Sequence, residues 1–505
     1  MPARTVAVSG DAMVRQQMHC VLTPGWTGDT QTLPALKGGL DALFDSLGFV
    51  HFASIALLPM RPGEPDTALP SLMLELAIDE GMQTPLLLEL LVARGLEALW
   101  PLYGAHADAD LPASREARAS WLRHWLARHI HGADGGFVGA RDRTVRQIHR
   151  EHALYRAVRD QAARLTAEQP LDSDVLALRL SNWAAESAGF DWARTPAPRS
   201  FFRRGGLGRA LALLGGVAAL LEAGLVAAWC LKSAALAWYW EWLALVLTTL
   251  AVVVATAMAA LLLSPLALSA LSVWRRAWRP VSQSLKRWDR ARHARATREV
   301  PRAHQVHPMV ARCEAELIER PNHIVSLTEV RSPFVWHAVW LRLWLGVISW
   351  FGRWCFVNGV LGKATGIKYG HWHVVDGGRR LLFCSNYDGS FGGYLGEFIA
   401  GATVGVNLFW RRTRLLPRKA AAPGHPAVQH ARDFPPTRCL AWHGGCEHEQ
   451  WFKTYARDSM LPHLYLYQAY AHSQAEIERA TSLRDALFGP RNPVNDDIIA
   501  KAVAS

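Results

Sequence analysis

Two stretches of this chain are almost free of charge over lengths that match the hydrocarbon thickness of a bilayer. From Leu207 to Leu231 only Arg209 and Glu222 are charged, and from Ala234 to Val273 only Glu241 is. A membrane-crossing helix needs about 20 apolar residues, so the pattern predicts a two-helix hairpin within 205–275 that turns near Lys232 and Ser233. Gly215, Gly216 and Gly224 give the first span a small-residue face for close helix packing. Trp240 belongs to an aromatic cluster, Trp238–Trp242, placed where amphipathic rings favour the membrane surface. Arg203, Arg204 and Arg209 precede the first span, and Arg275, Arg276 and Arg279 follow the second. The excess of basic residues on these flanks places both on the cytoplasmic side of a multi-pass inner-membrane protein. Glu222 lies mid-span, where a carboxyl is costly; a proton or ion path and a carboxyl bonded to a neighbouring helix are both open.

Composition agrees with a few spans attached to globular material: half of the 505 residues are apolar and 19% are charged. The 22 tryptophans favour sites with one apolar and one wet end. The net charge of +12 is concentrated between Arg275 and Arg302, next to the second span. That position favours anionic lipid head groups over nucleic acid as the partner. Seven scattered cysteines without a C-x-x-C pair argue for a reducing compartment rather than a disulfide framework.

The flanking regions share an order of elements. In the first, Gly48–Pro59 and Ser71–Asp79 alternate as strands, followed by an Asp79-Glu80-Gly81 turn and a helix from Thr84. A helix over Ser114–His129, a short strand at Gly136–Ala140 and a helix from Thr144 complete it. In the second, strands at Ile367–Asp376 and Arg380–Tyr387 precede the Asp388-Gly389-Ser390 turn and the helix FGGYLGEFIAG. A strand near Cys439–His443, a helix over Glu447–Met460, a strand at His463–Tyr470 and a helix from Gln474 follow. The predicted fold class is therefore an α+β membrane protein. Two ferredoxin-like α+β repeats form a pseudo-dimer, with the transmembrane hairpin inserted between them. The expected boundaries are an irregular segment 1–35, a first repeat 36–200, the hairpin 205–275, a basic linker and helix 276–333, a tryptophan-rich helix 334–362 and a second repeat 363–505. In the tryptophan-rich helix, Trp336, Trp340, Trp344, Trp350 and Trp354 are interrupted by His337, Arg342 and Arg353. It suits either a membrane interface or a buried core.

The runs PNHIVSLTEV (Pro321–Val330), GIKYGHWHVVDGGRRLLFCSNYDGSFGGYLGEFI (Gly366–Ile399) and WFKTYARDSMLPHLYLYQAYAHSQAEIERATSLRDAL (Trp451–Leu487) resemble a family of largely uncharacterised bacterial proteins. The resemblance implies ferredoxin-like, dimeric α+β barrel architecture and a loose association with peroxidase-type proteins; SNYDGS followed by YLGEFI carries it best. With the spans and their basic flanks, the expected location is the bacterial inner membrane. The family reads His-Phe-Ala at the start of the first strand; here His51-Phe52-Ala53 keeps that pattern, while the second copy has Lys368-Tyr369-Gly370.

No nucleophile elbow, Walker loop, H-E-x-x-H or dinucleotide fingerprint is present. The candidate chemistry rests on clusters. His371 and His373 alternate on one strand and share a face, with Asp388 as a third catalytic candidate. Arg379, Asn386, Tyr387, His51 and Asp79 are candidate ligand-binding residues, and His443, Cys446 and His448 candidate metal ligands at a strand-to-helix junction. Each also has a structural reading: Asp388 as a turn residue capping the next helix, the histidines as hydrogen-bonded strand positions. Haem is the cofactor that the resemblance admits, on His371 or His373 with Arg379 opposite. Two functions are expected in competition. One is a membrane-anchored oxidoreductase-like protein acting on a lipid or other apolar small molecule. The other is a non-catalytic adaptor or ligand-binding protein, and either is compatible with an oligomer.

Overall fold

Strands form where apolar side chains alternate in short runs bounded by Gly, Pro and Asp, and helices where they recur with the helical period. The computed structural model describes residues 17–65, 67–107, 114–140, 143–195, 306–314, 322–354, 366–438, 441 and 443–504. In the first half the strands are β1 (Met18–Thr23), β2 (Val50–Leu58), β3 (Ser71–Ile78), β4 (Ile130–Gly132) and β5 (Gly135–Val138). In the second they are β6 (Asn322–Val330), β7 (Ile367–Val375), β8 (Arg380–Tyr387), β9 (Thr413–Leu415), β10 (Arg432–Asp433), the small pair β11 (Thr437–Arg438) and β12 (His443–Gly444), β13 (Met460–Leu461) and β14 (His463–Gln468).

Apart from the β11–β12 pair, these make two antiparallel sheets stacked face to face. One runs β14-β2-β3-β1-β4 and the other β10-β9-β6-β8-β7-β5, with β13 also on β6. Each sheet takes a strand from the other half of the chain. After β4 the chain turns at Ala133 and Asp134, so that β4 stays on β1 while β5 crosses to β7. After β13 it turns at Pro462, so that β13 stays on β6 while β14 crosses to β2.

Strand alternation divides the side chains between two environments. Leu72, Leu74, Leu76 and Ile78 of β3 face helices Leu33–Leu47, Thr84–Tyr103 and Arg115–His129. Leu381, Phe383 and Tyr387 of β8, with Trp372 and Val374 of β7, face helices Phe334–Trp354, Phe391–Gly401, Thr403–Trp410 and Glu449–Ser459. The layer between the sheets is built from Cys20, Ala56, Leu58, Met73, Val325, Leu327, Leu382 and Cys384. Helices Val145–Glu168, Ser173–Glu186, Gln474–Phe488 and Pro493–Ala504 pack on one another through Leu154, Val158, Leu180, Leu483 and Ile499. Glu151 ties two of them together, 2.9 Å from Arg484 in a buried setting.

The fold class expected from the sequence is corrected here. The described residues form a mixed α+β fold of two antiparallel sheets, and no helix among them is long and apolar enough to cross a membrane. The multi-pass inner-membrane placement is corrected by the same finding. The hairpin 205–275, with Arg209, Glu222, Trp240, Arg275 and Arg276, lies outside the described residues. The longest strongly apolar helix described, Phe334–Trp354, carries Arg342 and Arg353 and lays Ala338, Leu341 and Leu345 on the second sheet as core. Nor are the halves self-contained ferredoxin-like repeats. The last strand of each is split by a two-residue or one-residue turn, and its second piece completes the neighbouring sheet. β1 forms within the segment read as irregular, and β6 within the segment read as linker and helix.

Candidate functional site

The same alternation that buries the leucines of β3 turns Met73, Glu75 and Ala77 toward the opposite sheet. Glu75 is the one charged residue of its strand and is 1% exposed. β7 presents His371 and His373 to it, β6 presents His323, β8 presents Cys384 and Asn386, and β2 presents Ser54. Ser54 Oγ donates to Glu75 Oε2 at 2.6 Å, His371 Nε2 stands 2.7 Å from Oε1, and His323 Nε2 stands 3.1 Å from Oε2. Behind these, His371 Nδ1 is 2.8 Å from His373 Nε2, and His323 Nδ1 is 3.0 Å from Asn386 Nδ2.

A buried carboxyl should hold its proton, since burial penalises its charged form. Burial does push Glu75 upward, but His323 and His371 outweigh it and hold the carboxyl well below the usual carboxylate range. Cys384 responds oppositely: burial first, and then the negative charge of Glu75, raise its thiol well above the ordinary value. His373 is driven well down, by burial first and by His371 next. The cluster is thus an ionised carboxylate ringed by imidazoles, with a protonated thiol against it.

His373 also lines a cavity of about 620 Å³ beside the β4 edge. The cavity wall is mixed: Arg342, Arg380, Asp134, Asp376 and His131 stand beside Leu22, Leu58, Ile130 and Val374. Arg342 pairs with Asp134 at 3.2 Å, and Asp134 Oδ2 accepts the Val374 N–H at 2.6 Å. Arg380 pairs with Asp376 and donates to the Pro59 carbonyl at 2.6 Å. His131 is lowered by burial and then by His129.

The other expected residues fall in different places. His51 and Asp79 meet at the far end of the sheets, His51 Nε2 2.9 Å from Asp79 Oδ1 and His51 Nδ1 2.9 Å from the Tyr470 hydroxyl. Asp79 also accepts the Val145 N–H at the start of a helix. Asp388 plays the corresponding part in the other half, pairing with buried Lys368 at 2.9 Å and accepting the Gln474 N–H at 2.6 Å. The helix directly after Asp388 is capped by Ser390 instead. Asp388 is therefore not brought to His371 and His373. Arg379 is exposed and lies over the Phe334 ring, 4.6 Å from its centre. Tyr387 points to the helical side, stacked on Tyr394 at 4.0 Å. His443 is 3.9 Å from Glu447, and Cys446 is buried beside Asn407 and Thr403. His448 has its ring 6.4 Å from that of Trp451. Among the described residues, the donors that converge as a metal ligand set are Glu75, His371 and Cys384 instead.

Haem does not fit these residues. Both nitrogens of His371 are engaged by Glu75 and His373, and the cavity that His373 lines sets charged Arg342, Arg380, Asp134 and Asp376 in its wall, where haem needs an apolar pocket. The sequence reading left out Glu75, His323, Cys384 and Ser54. One signal was available for Glu75: a lone charge inside an otherwise apolar strand, on the face opposite the leucines. No known protein family, curated protein or solved structure matches this chain.

Proposed function

We propose that this protein binds a small polar carboxylate in the cavity beside His373. One observation carries the reading: His373 is at once part of the cavity wall and the outer end of the bonded chain His373–His371–Glu75. A buried polar chain costs stability that packed apolar residues would not cost, so its meeting with a cavity points to use rather than architecture. Arg342 and Arg380 carry guanidinium groups that suit a carboxylate, and a bound carboxylate would compete with their present partners Asp134 and Asp376, freeing those acids for an amino or hydroxyl group of the same molecule. An oxidoreductase acting on an apolar molecule would call for a mostly apolar pocket. A wall that sets two arginines and two aspartates among apolar residues supports the ligand-binding alternative.

The test is a thermal-shift and calorimetric screen of amino, hydroxy and dicarboxylic acids against the full-length protein. A binder should raise the melting temperature in proportion to the logarithm of its concentration. Arg342→Ala, at a half-exposed position, should weaken it at least tenfold while leaving the melting temperature of the free protein unchanged. A screen without binders, or a binder indifferent to Arg342→Ala, overturns the reading.

A further inference from the structure

The donors around Glu75 invite a separate question, which does not depend on what the cavity holds. Nitrogen, sulfur and carboxylate donors converging at one point are the ligand set of zinc-type ions rather than of magnesium or calcium. Glu75, His371 and Cys384 each place one donor atom within 4.8 Å of the others, and all three are buried. His323 Nε2 lies 3.1 Å from the second oxygen of Glu75. We propose that Glu75, His323, His371 and Cys384 form a site for one divalent transition-metal ion.

Four features support it. The donors come from four strands of two stacked sheets, β3, β6, β7 and β8, so the backbone holds their relative positions without a flexible loop. Both imidazoles turn Nε2 to the centre and have Nδ1 held from behind, His371 by His373 and His323 by Asn386. That rear support is what fixes the tautomer and direction of a metal-binding histidine. Next, His323 Nε2 is paired with Glu75 Oε2 at 3.1 Å in poor hydrogen-bond geometry, and Asn386 Oδ1 is buried without a hydrogen bond. Turning the Asn386 amide by half a revolution gives its Oδ1 a donor and selects the other His323 tautomer. Oδ1 then accepts from His323 Nδ1–H, and the Nε2 lone pair faces the site. Finally, a carboxylate and a thiolate neutralise a divalent ion, which removes the cost of a buried unbalanced charge. Binding expels the Cys384 proton to solvent and spreads His371 and Glu75 from their 2.7 Å contact toward the roughly 3.3 Å that tetrahedral donors keep.

The experiment uses full-length protein stripped by a chelator and titrated with Co²⁺ as the probe. One equivalent should bind, with the visible bands of a tetrahedral ion and a thiolate-to-cobalt charge-transfer band. Cys384→Ser should abolish the charge-transfer band. Asn386→Leu should weaken binding by about 10- to 100-fold, while Cys446→Ser should change nothing. Failure to bind one equivalent, or a charge-transfer band that survives Cys384→Ser, overturns the proposal. If Cys384→Ser does not fold, X-ray absorption of the cobalt-loaded wild type decides: one sulfur neighbour supports the site, and none refutes it. Arg342→Ala should leave cobalt binding intact, so failure of the cavity reading and failure of the metal site are told apart.

Discussion

Glu75 and His371 stand 2.7 Å apart, although 296 positions separate them in the chain and each belongs to a different sheet. The contact exists only when the two sheets are stacked, and it places an ionised carboxylate at the centre of the protein. Removing one partner from such a buried pair leaves the other without compensation, at a cost of about 3–5 kcal/mol. Glu75→Ala should therefore lower the unfolding free energy by about that much in urea titrations. Glu75→Gln keeps the volume and one acceptor and should cost about 1–3 kcal/mol. Equal stability of Glu75→Ala and wild type would show that the cluster does not hold the sheets together.

Lys368 and Asp388 form the second buried relationship, and it revises the part expected of Asp388 from sequence. As a turn residue alone, Asp388→Asn would cost at most about 1 kcal/mol. In the structure it is the counter-charge of a lysine that is 1% exposed and whose pKa burial lowers, an effect that Asp388 opposes only in part. Asp388→Asn should therefore cost about 3 kcal/mol. Lys368→Met combined with Asp388→Asn should recover most of the loss, because it removes the orphaned charge. A double mutant as unstable as the single one would refute the pairing as the cause.

Acid should weaken the end of the molecule where His51, His152 and His472 gather. Burial lowers all three, with His472 pushed down to about 4 and stacked on His152 at 3.5 Å. Their folded-state values lie below the unfolded imidazole value of about 6.5, so between those values the unfolded chain binds more protons. Stability from these groups is complete above about pH 6.5 and falls as pH drops toward 4. The melting temperature should decline across that window, and His472→Gln should flatten the decline. A profile unchanged by His472→Gln would assign the acid sensitivity elsewhere.

Gly139 and Ala469 sit just beyond the two exchanged strands, donating to the carbonyls of Lys368 and His51 at 2.8 and 2.9 Å. They differ in what surrounds them: a Cβ on Gly139 would meet the Ile367 carbonyl oxygen at 2.0 Å. Gly139→Ala should cost about 3 kcal/mol through that backbone clash. Ala469→Gly should cost about 1 kcal/mol, from backbone entropy. Comparable small effects in calorimetry would mean that β5 shifts freely along β7.

Local pattern made much of the scaffold legible. β2, β3, β7 and β8 lie within two residues of the alternating runs that announce them, because alternation is a property of neighbouring residues. The shared face of His371 and His373 follows from the same rule. β1 and β6 were not legible, although β2, β7 and β8 are buried just as fully; their partners β3 and β8 lie far along the chain, beyond the reach of a local pattern. The apolar runs at 205–275 predict membrane spans on length and hydropathy, and they lie outside the described residues.

By itself, then, the sequence determined the strands and helices with local periodicity, the Asp-Gly turns that punctuate them, and which side chains share a face. The tertiary structure alone decided that Glu75 meets His323, His371 and Cys384, that Asp388 serves Lys368 rather than the histidines, and that β5 and β14 change sheets. Those outcomes depend on contacts between residues tens to hundreds of positions apart. No local pattern encodes them, because each strand's inward face acquires its chemistry only from the strand that comes to lie opposite it.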